Sequence, residues 1–176
     1  MSYEMLGRQE VFHGKAFDVD QVKVSMPDGR AALYDLVRHP GAVVILPVDS
    51  EGRILLVRQY RVGADAQILE LPAGTLEPGE PPQDCAAREV REEVGMAARS
   101  LQALGGFYIA AGYSNEYIHV FLATDLYPAP LEGDADEFID VVEIPVAEAY
   151  AMAARGEIID SKTLATLMLA RTELLG

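Results

Sequence analysis

The segment from Gly74 to Met96 limits what this chain can become more than any other. Pro81-Pro82 suits the first turn of a helix, where a missing N–H is no loss, and Asp84 lies near the positive end of the helix dipole. Gly95 is the residue type that closes a helix in the left-handed conformation, so the expected helix ends at Val94. On a wheel of ~100° per residue with Ala86 at zero, Val90, Val94 and Ala87 fall near ~40°, ~80° and ~100°. Glu93, Glu89 and Glu92 fall near ~−20°, ~−60° and ~−120°. Three carboxylates therefore edge a buried stripe, with Glu93 almost inside it, while Arg88 and Arg91 point away.

Like charges at these spacings cost a few tenths of a kcal/mol per pair, roughly, and partial burial of Glu93 adds more. Hard oxygen donors clustered on a rigid element suit Mg²⁺ or Mn²⁺, and a metal so bound can in turn hold a diphosphate. The loop ahead of the helix fits a close approach: Gly74, Pro78 and Gly79 keep it tight, and Glu80 enters the helix on the same side.

Around this segment the patterning reads as strands with two later helices. Val19 to Met26 alternates and turns at Pro27-Asp28-Gly29 into a returning strand, Ala31 to Arg38. Val43 to Val48 and Ile54 to Tyr60 form a hairpin about Asp49-Ser50-Glu51-Gly52. Gln67 to Leu71 is a short strand, and Leu101 to Ile109, Tyr117 to Thr124 and Phe138 to Ile144 are further strands. Helices are expected over Val146 to Arg155 and Ser161 to Leu174, the second capped by Asp160 or Ser161. The class is α+β. Residues 1–40 are expected to form an N-terminal antiparallel strand layer, and residues 41–176 the main domain.

Composition narrows the function. With 14 Lys+Arg against 28 Asp+Glu, the net charge is −14. That balance lacks the basic footprint of a nucleic-acid binder, and it repels polyphosphates unless local arginines or divalent ions intervene. The single cysteine, Cys85, excludes an intrachain disulfide framework and a cysteine zinc site, and reads as a small buried helix residue. His39 and His119 read as structural. Met1 to Glu10 has no signal-peptide pattern, and the Gly41 to Val48 run is too short to span a bilayer. A soluble cytoplasmic protein is expected, with no membrane and no nucleic-acid partner.

Gly74, Glu80 and Arg88-Glu89-Val90-Arg91-Glu92-Glu93-Val94-Gly95-Met96 match the Nudix box at every defined position, about nine positions over 23 residues. The chain therefore resembles the Nudix hydrolase family. The resemblance implies an α/β/α sandwich around a mixed sheet, with the box as loop–helix–loop. It also implies hydrolysis of a nucleoside diphosphate linked to another group. Glu89 and Glu93 are implied as metal ligands, and Glu92 as a further ligand or water-orienting group. Arg88 is implied as a partner that orients the carboxylates.

Arg58-Gln59-Tyr60-Arg61, Leu69-Glu70-Leu71-Pro72-Ala73-Gly74 and the stretch Phe107 to Glu116 are similar to the ADP-ribose pyrophosphatase branch. Ala111 departs from it, standing where that branch commonly carries proline. The branch implies a Mg²⁺-dependent reaction, with two or more ions, that splits ADP-ribose into AMP and ribose 5-phosphate. Other nucleotide sugars such as GDP-mannose are the alternative substrates, and a non-catalytic nucleotide sensor is a minor one. The branch adds the Ala73 carbonyl as a metal ligand and Glu137, on the loop with Glu132, Asp134 and Asp136, as the base. It also implies a homodimer completed by the N-terminal strands. Arg61, Glu70, Tyr34, Asp35, Arg38 and Glu116 are the expected substrate contacts, Tyr34 against the adenine and Arg61 on phosphate or the terminal ribose.

Overall fold

The computed structural model describes residues 2–133 and 138–176, which divide into two compact units. Among the described residues, the first comprises 2–41 and 108–117. Strands β1 (Glu4–His13), β2 (Asp18–Ser25) and β3 (Ala31–Arg38) form an antiparallel sheet in that order. The β2–β3 turn lies at the expected place, with Gly29 at φ +83° and its N–H donating to the Met26 carbonyl at 2.9 Å. Val22 opposes Tyr34 across β2 and β3. The carboxylate of Asp20 is 1% exposed; Arg8 pairs with it, and Arg38 Nε donates to it at 3.2 Å. Val37 exchanges backbone hydrogen bonds with the 108–117 segment, accepting from Asn115 at 3.2 Å and donating to Tyr113 at 2.7 Å.

Strand β1 is not among the elements expected from sequence. All ten of its residues are exposed. An element without a buried face has no reason to alternate apolar and polar residues, which is the signal a sequence reading depends on.

The second unit holds the main core. Strands β4 (Ala42–Pro47), β5 (Arg53–Arg61), β6 (Ala66–Glu70), β7 (Ala73–Thr75), β8 (Met96–Tyr108), β9 (Tyr117–Pro128) and β10 (Asp140–Pro145) make two sheets, ordered β7-β4-β9-β8 and β10-β5-β6. The β4–β9 pair is parallel and the β4–β7 pair antiparallel, so the first sheet is mixed.

Helix α1 (Pro82–Val94) covers one face of the strands, with Val43, Ile45, Leu55 and Val57 packed on Cys85, Ala86 and Val90. The opposite face packs Val44, Leu46, Ile54 and Leu56 against α2 (Val146–Ala154) and α3 (Ser161–Leu175), through Ala149, Leu167 and Ala170. Alternation along β4 feeds both faces, because successive strand side chains point to opposite sides. This is the expected α/β/α sandwich.

The boundaries of α1 follow its sequence. Pro81 is the cap with no side-chain hydrogen bond, and Gly95 at φ +71° donates its N–H to the Val90 carbonyl. Strand β8 starts at Met96, five residues before the expected Leu101. The intervening Ala97-Ala98-Arg99-Ser100 has no alternation to announce it. The short β7 is likewise new: its three residues include Gly74 and follow a proline, and pairing with β4 holds them extended.

Candidate active site

The acidic edge of α1 faces β7. Glu93 and Glu89 are 7% and 8% exposed, and Glu92 is half-buried, which follows the angular order on the wheel. The Ala73 N–H donates to Glu93 Oε2 at 2.9 Å, joining β7 to the helix. At Gly74 the strand and helix come closer still. A Cβ placed there would lie 1.8 Å from Glu89 Oε1 and 1.9 Å from its Cδ. Only glycine leaves room for that carboxylate.

Arg88 departs from the wheel expectation that it points away. Its long side chain returns along the helix and forks onto Glu80, Nε to Oε1 and Nη2 to Oε2, both at 3.0 Å. Its Nη1 reaches Glu89 Oε1 at 2.6 Å and Glu92 Oε2 at 2.9 Å. These hydrogen bonds, led by the pair to Glu80, raise Arg88 above its ordinary pKa. The same pair, against the opposing effect of burial, holds the Glu80 carboxyl down to about 2, aided by the Glu77 N–H. Cys85 lies alongside with its thiol pushed up to about 12, chiefly by burial. It is therefore not a thiolate nucleophile at neutral pH.

A cleft of about 500 Å³ opens here, lined by Arg61, Ala73 to Pro78, Arg88, Glu89 and Glu92. Glu70, expected as a substrate contact, is fully buried rather than in the cleft wall. Arg61 Nε donates to Glu70 Oε1 at 2.6 Å, and Lys162 pairs with Oε2. Lys162, absent from the sequence reading, comes from the first turn of α3. There Asp160 caps the helix through the Thr163 N–H at 2.9 Å, and Thr163 Oγ1 accepts from the Leu71 N–H at 2.9 Å. No local signal could have found it, because Lys162 and Glu70 are 92 positions apart.

The remaining expected site residues lie in the first unit. Tyr34 is 45% exposed, its hydroxyl 3.6 Å from Met26 Sδ, and Asp35 is exposed. Arg38 is engaged by Asp18 at 3.0 Å, by Asp20 and by Glu10. Glu116 Oε1 lies 4.0 Å from His39 Nδ1, which accepts from the Gly41 N–H at 3.1 Å. Glu10, His13 and Asp18 also bring their ligand atoms within 4.8 Å of one another. Arg38 bonds both acids and His13 pairs with Asp18 at 2.6 Å, so a salt-bridge network accounts for that group. Glu137, expected as the base, and two of its three rivals, Asp134 and Asp136, lie outside the described residues, while the third, Glu132, is exposed.

The donor set beside β7 fits a divalent cation. It offers hard carboxylate oxygens on one rigid helix, two of the carboxylates largely withdrawn from water, with a cradle at Gly74 that a single methyl would fill.

Comparison with known proteins agrees with this geometry. The NUDIX domain model matches residues 37–167. An ADP-ribose pyrophosphatase of Bacillus subtilis (strain 168) is 39% identical over 160 residues, 90% of this chain and 86% of that protein. An ADP-ribose pyrophosphatase of Mycobacterium tuberculosis (strain ATCC 25618 / H37Rv) is 37% identical over 169 residues, 94% of this chain and 82% of that protein. A crystal structure of an ADP compounds hydrolase superposes with a TM-score of 0.88 at 29% identity, covering 99% of this chain and 95% of the other. Buried carboxylates on a capped helix, a glycine cradle and a match over three quarters of the length lead to one conclusion: this chain belongs to the NUDIX family of hydrolases.

Proposed function

We propose that this chain hydrolyses the diphosphate of ADP-ribose to AMP and ribose 5-phosphate, adding one water across the phosphoanhydride. The observation that carries the reading is the Glu89–Glu92–Glu93 edge seated against Ala73 and Gly74, in a chain 37–39% identical to two ADP-ribose pyrophosphatases. Glu89, Glu92, Glu93 and the Ala73 carbonyl are the proposed ligands of Mg²⁺ or Mn²⁺, two or more ions. Bound there, the ions mask charge on the phosphoryl oxygens and make a water nucleophilic at neutral pH.

The chain's own residues supply the rest. Arg88 keeps Glu80, Glu89 and Glu92 in one arrangement before any ligand arrives. Arg61, at the cleft wall, offers a planar guanidinium to a phosphoryl oxygen. Glu70, buried behind it, supports this role by position rather than by contact with substrate. Glu137 is assigned the water's proton on sequence resemblance. Tyr34, Asp35, Arg38 and Glu116 are assigned to the adenosine and ribose.

We also read the chain as a cytoplasmic homodimer. Exposed Tyr3, Met5, Leu6, Val11 and Phe12 on and beside β1 support a second copy covering this sheet. None of the described helices is long and apolar enough to cross a membrane.

The test is product analysis with Mg²⁺ and a panel of ADP-ribose, GDP-mannose and other nucleotide sugars. AMP and ribose 5-phosphate in equal amounts, with ADP-ribose the best substrate by kcat/KM, is the expected result. No AMP from ADP-ribose at micromolar enzyme refutes the proposed substrate.

A further inference from the structure

The most unusual electrostatic feature outside the acidic helix edge is the carboxylate of Glu70. It is withdrawn from solvent and shared between two cations from distant parts of the chain, Arg61 on β5 and Lys162 on α3. A buried carboxylate normally needs one good partner. Here the second partner has a definite effect on the first. Lys162 occupies Oε2, so Arg61 meets the carboxylate through Nε on Oε1. Lys162 is itself fixed by Asp160 Oδ1 at 2.9 Å, and Asp160 is the cap of α3. The lysine is therefore not free to swing away.

This arrangement then bears on the cleft. Glu70 and Asp160 together face Arg61 and Lys162, so the array is balanced overall, and the effect of Lys162 on Arg61 is geometric: with Oε2 occupied, Arg61 is held by Oε1 through its Nε. Without Lys162, Oε2 becomes available to a second nitrogen of Arg61. The guanidinium would turn toward the interior, away from the cleft.

We propose that Lys162 is a positioning residue for Arg61, acting through the shared Glu70 carboxylate so that Arg61 keeps its charge directed at a diphosphate in the cleft. The inference rests on the reading that this cleft binds a nucleoside diphosphate. Lys162 touches no substrate. It raises affinity for the anion without entering the bond-breaking step, so its removal raises KM and leaves kcat nearly unchanged.

The experiment is calorimetric binding of ADP in Mg²⁺, with steady-state kinetics alongside, for the full-length wild type, Lys162→Met, Lys162→Gln, Lys162→Arg, Arg61→Ala and the Arg61→Ala/Lys162→Met double variant. Thermal unfolding of each confirms that it is folded, and Lys162→Gln retains a donor to Glu70 if the methionine variant does not fold. Lys162→Met should weaken ADP about tenfold, a coupling typical of groups in one buried charge network. Lys162→Arg should recover most of that loss. In the Arg61→Ala background Lys162→Met should add less than about twofold, because its route to the ligand is gone.

Equal ADP affinity in wild type and Lys162→Met overturns the proposal. So does a full additional loss on top of Arg61→Ala. If wild type cleaves ADP-ribose while Lys162→Met binds ADP normally, this inference fails and the assigned reaction stands. If wild type cleaves no nucleotide sugar while the ADP pattern appears, the assigned reaction fails and the inference stands.

Discussion

Replacing Gly74 with alanine asks the protein to fit a methyl where Glu89 already lies. The added Cβ would stand 1.8 Å from Oε1, 1.9 Å from Cδ and 2.5 Å from Cγ of Glu89. The backbone of Gly74 is not in the left-handed region, so alanine carries no conformational penalty and the contact is isolated. Either Glu89 leaves or β7 shifts. Shifting β7 would strain its pairing with β4 and the Ala73–Glu93 hydrogen bond, so displacement of the Glu89 side chain is the cheaper route.

That displacement loses the 2.6 Å hydrogen bond from Arg88, a charge-assisted contact of about 1–3 kcal/mol. For a chain of this size about 1 kcal/mol lowers Tm by roughly 2–4 °C, so a fall of about 2–12 °C is expected. Domains are stable by about 5–15 kcal/mol, so a loss of this size leaves the variant folded at 25 °C. Catalysis should suffer far more, by about 10²–10³ in kcat, because a charge-stabilising ligand is out of place. The assay is kcat and KM for ADP-ribose at saturating Mg²⁺, beside a thermal melt. Turnover within threefold of wild type would refute the close packing of strand on helix, and with it the ligand role of Glu89.

Glu93→Gln keeps an oxygen for the Ala73 N–H but loses its charge; kcat for ADP-ribose should fall about 10²–10⁴ with the melt nearly unchanged. Glu80 has its carboxyl held down to about 2 by Arg88, below the ordinary 4.5, so its stabilising effect is fully present above pH 4.5. The stability difference between wild type and Glu80→Gln should be constant above that pH and shrink as pH falls from 4.5 toward 2, measured by urea titration at each pH. Leu46→Ala, at a fully buried position between β4 and the α2–α3 layer, should cost about 2–5 kcal/mol in denaturant unfolding, with KM unaltered.

Legibility in the sequence varied with the kind of signal. Helix α1 was readable to the residue at its C-terminus because Gly95 is a local instruction, as the proline pair is for its start. The burial order of Glu93, Glu89 and Glu92 was readable because it depends only on helical phase. The return of Arg88 was not, since a wheel places Cβ atoms while a guanidinium reaches several ångströms beyond its own. Strand β1, exposed along its length, and β7, three residues held by β4, carry no periodic signature. The Arg61–Glu70–Lys162 array depends on α3 reaching the end of β6, a property of tertiary packing alone.

Helix α1 passes into β8 through the single residue Gly95, and its last turn is stitched to β7 by the Ala73 N–H on Glu93. With no slack at its C-terminal end, its rotational setting is locked. One residue inserted within it would swing the downstream acids by about 100° and point them at the core or at bulk water. Length variation among descendants of this chain is therefore expected to collect in outlying turns such as 26–30, while the 74–96 stretch changes letters but not length.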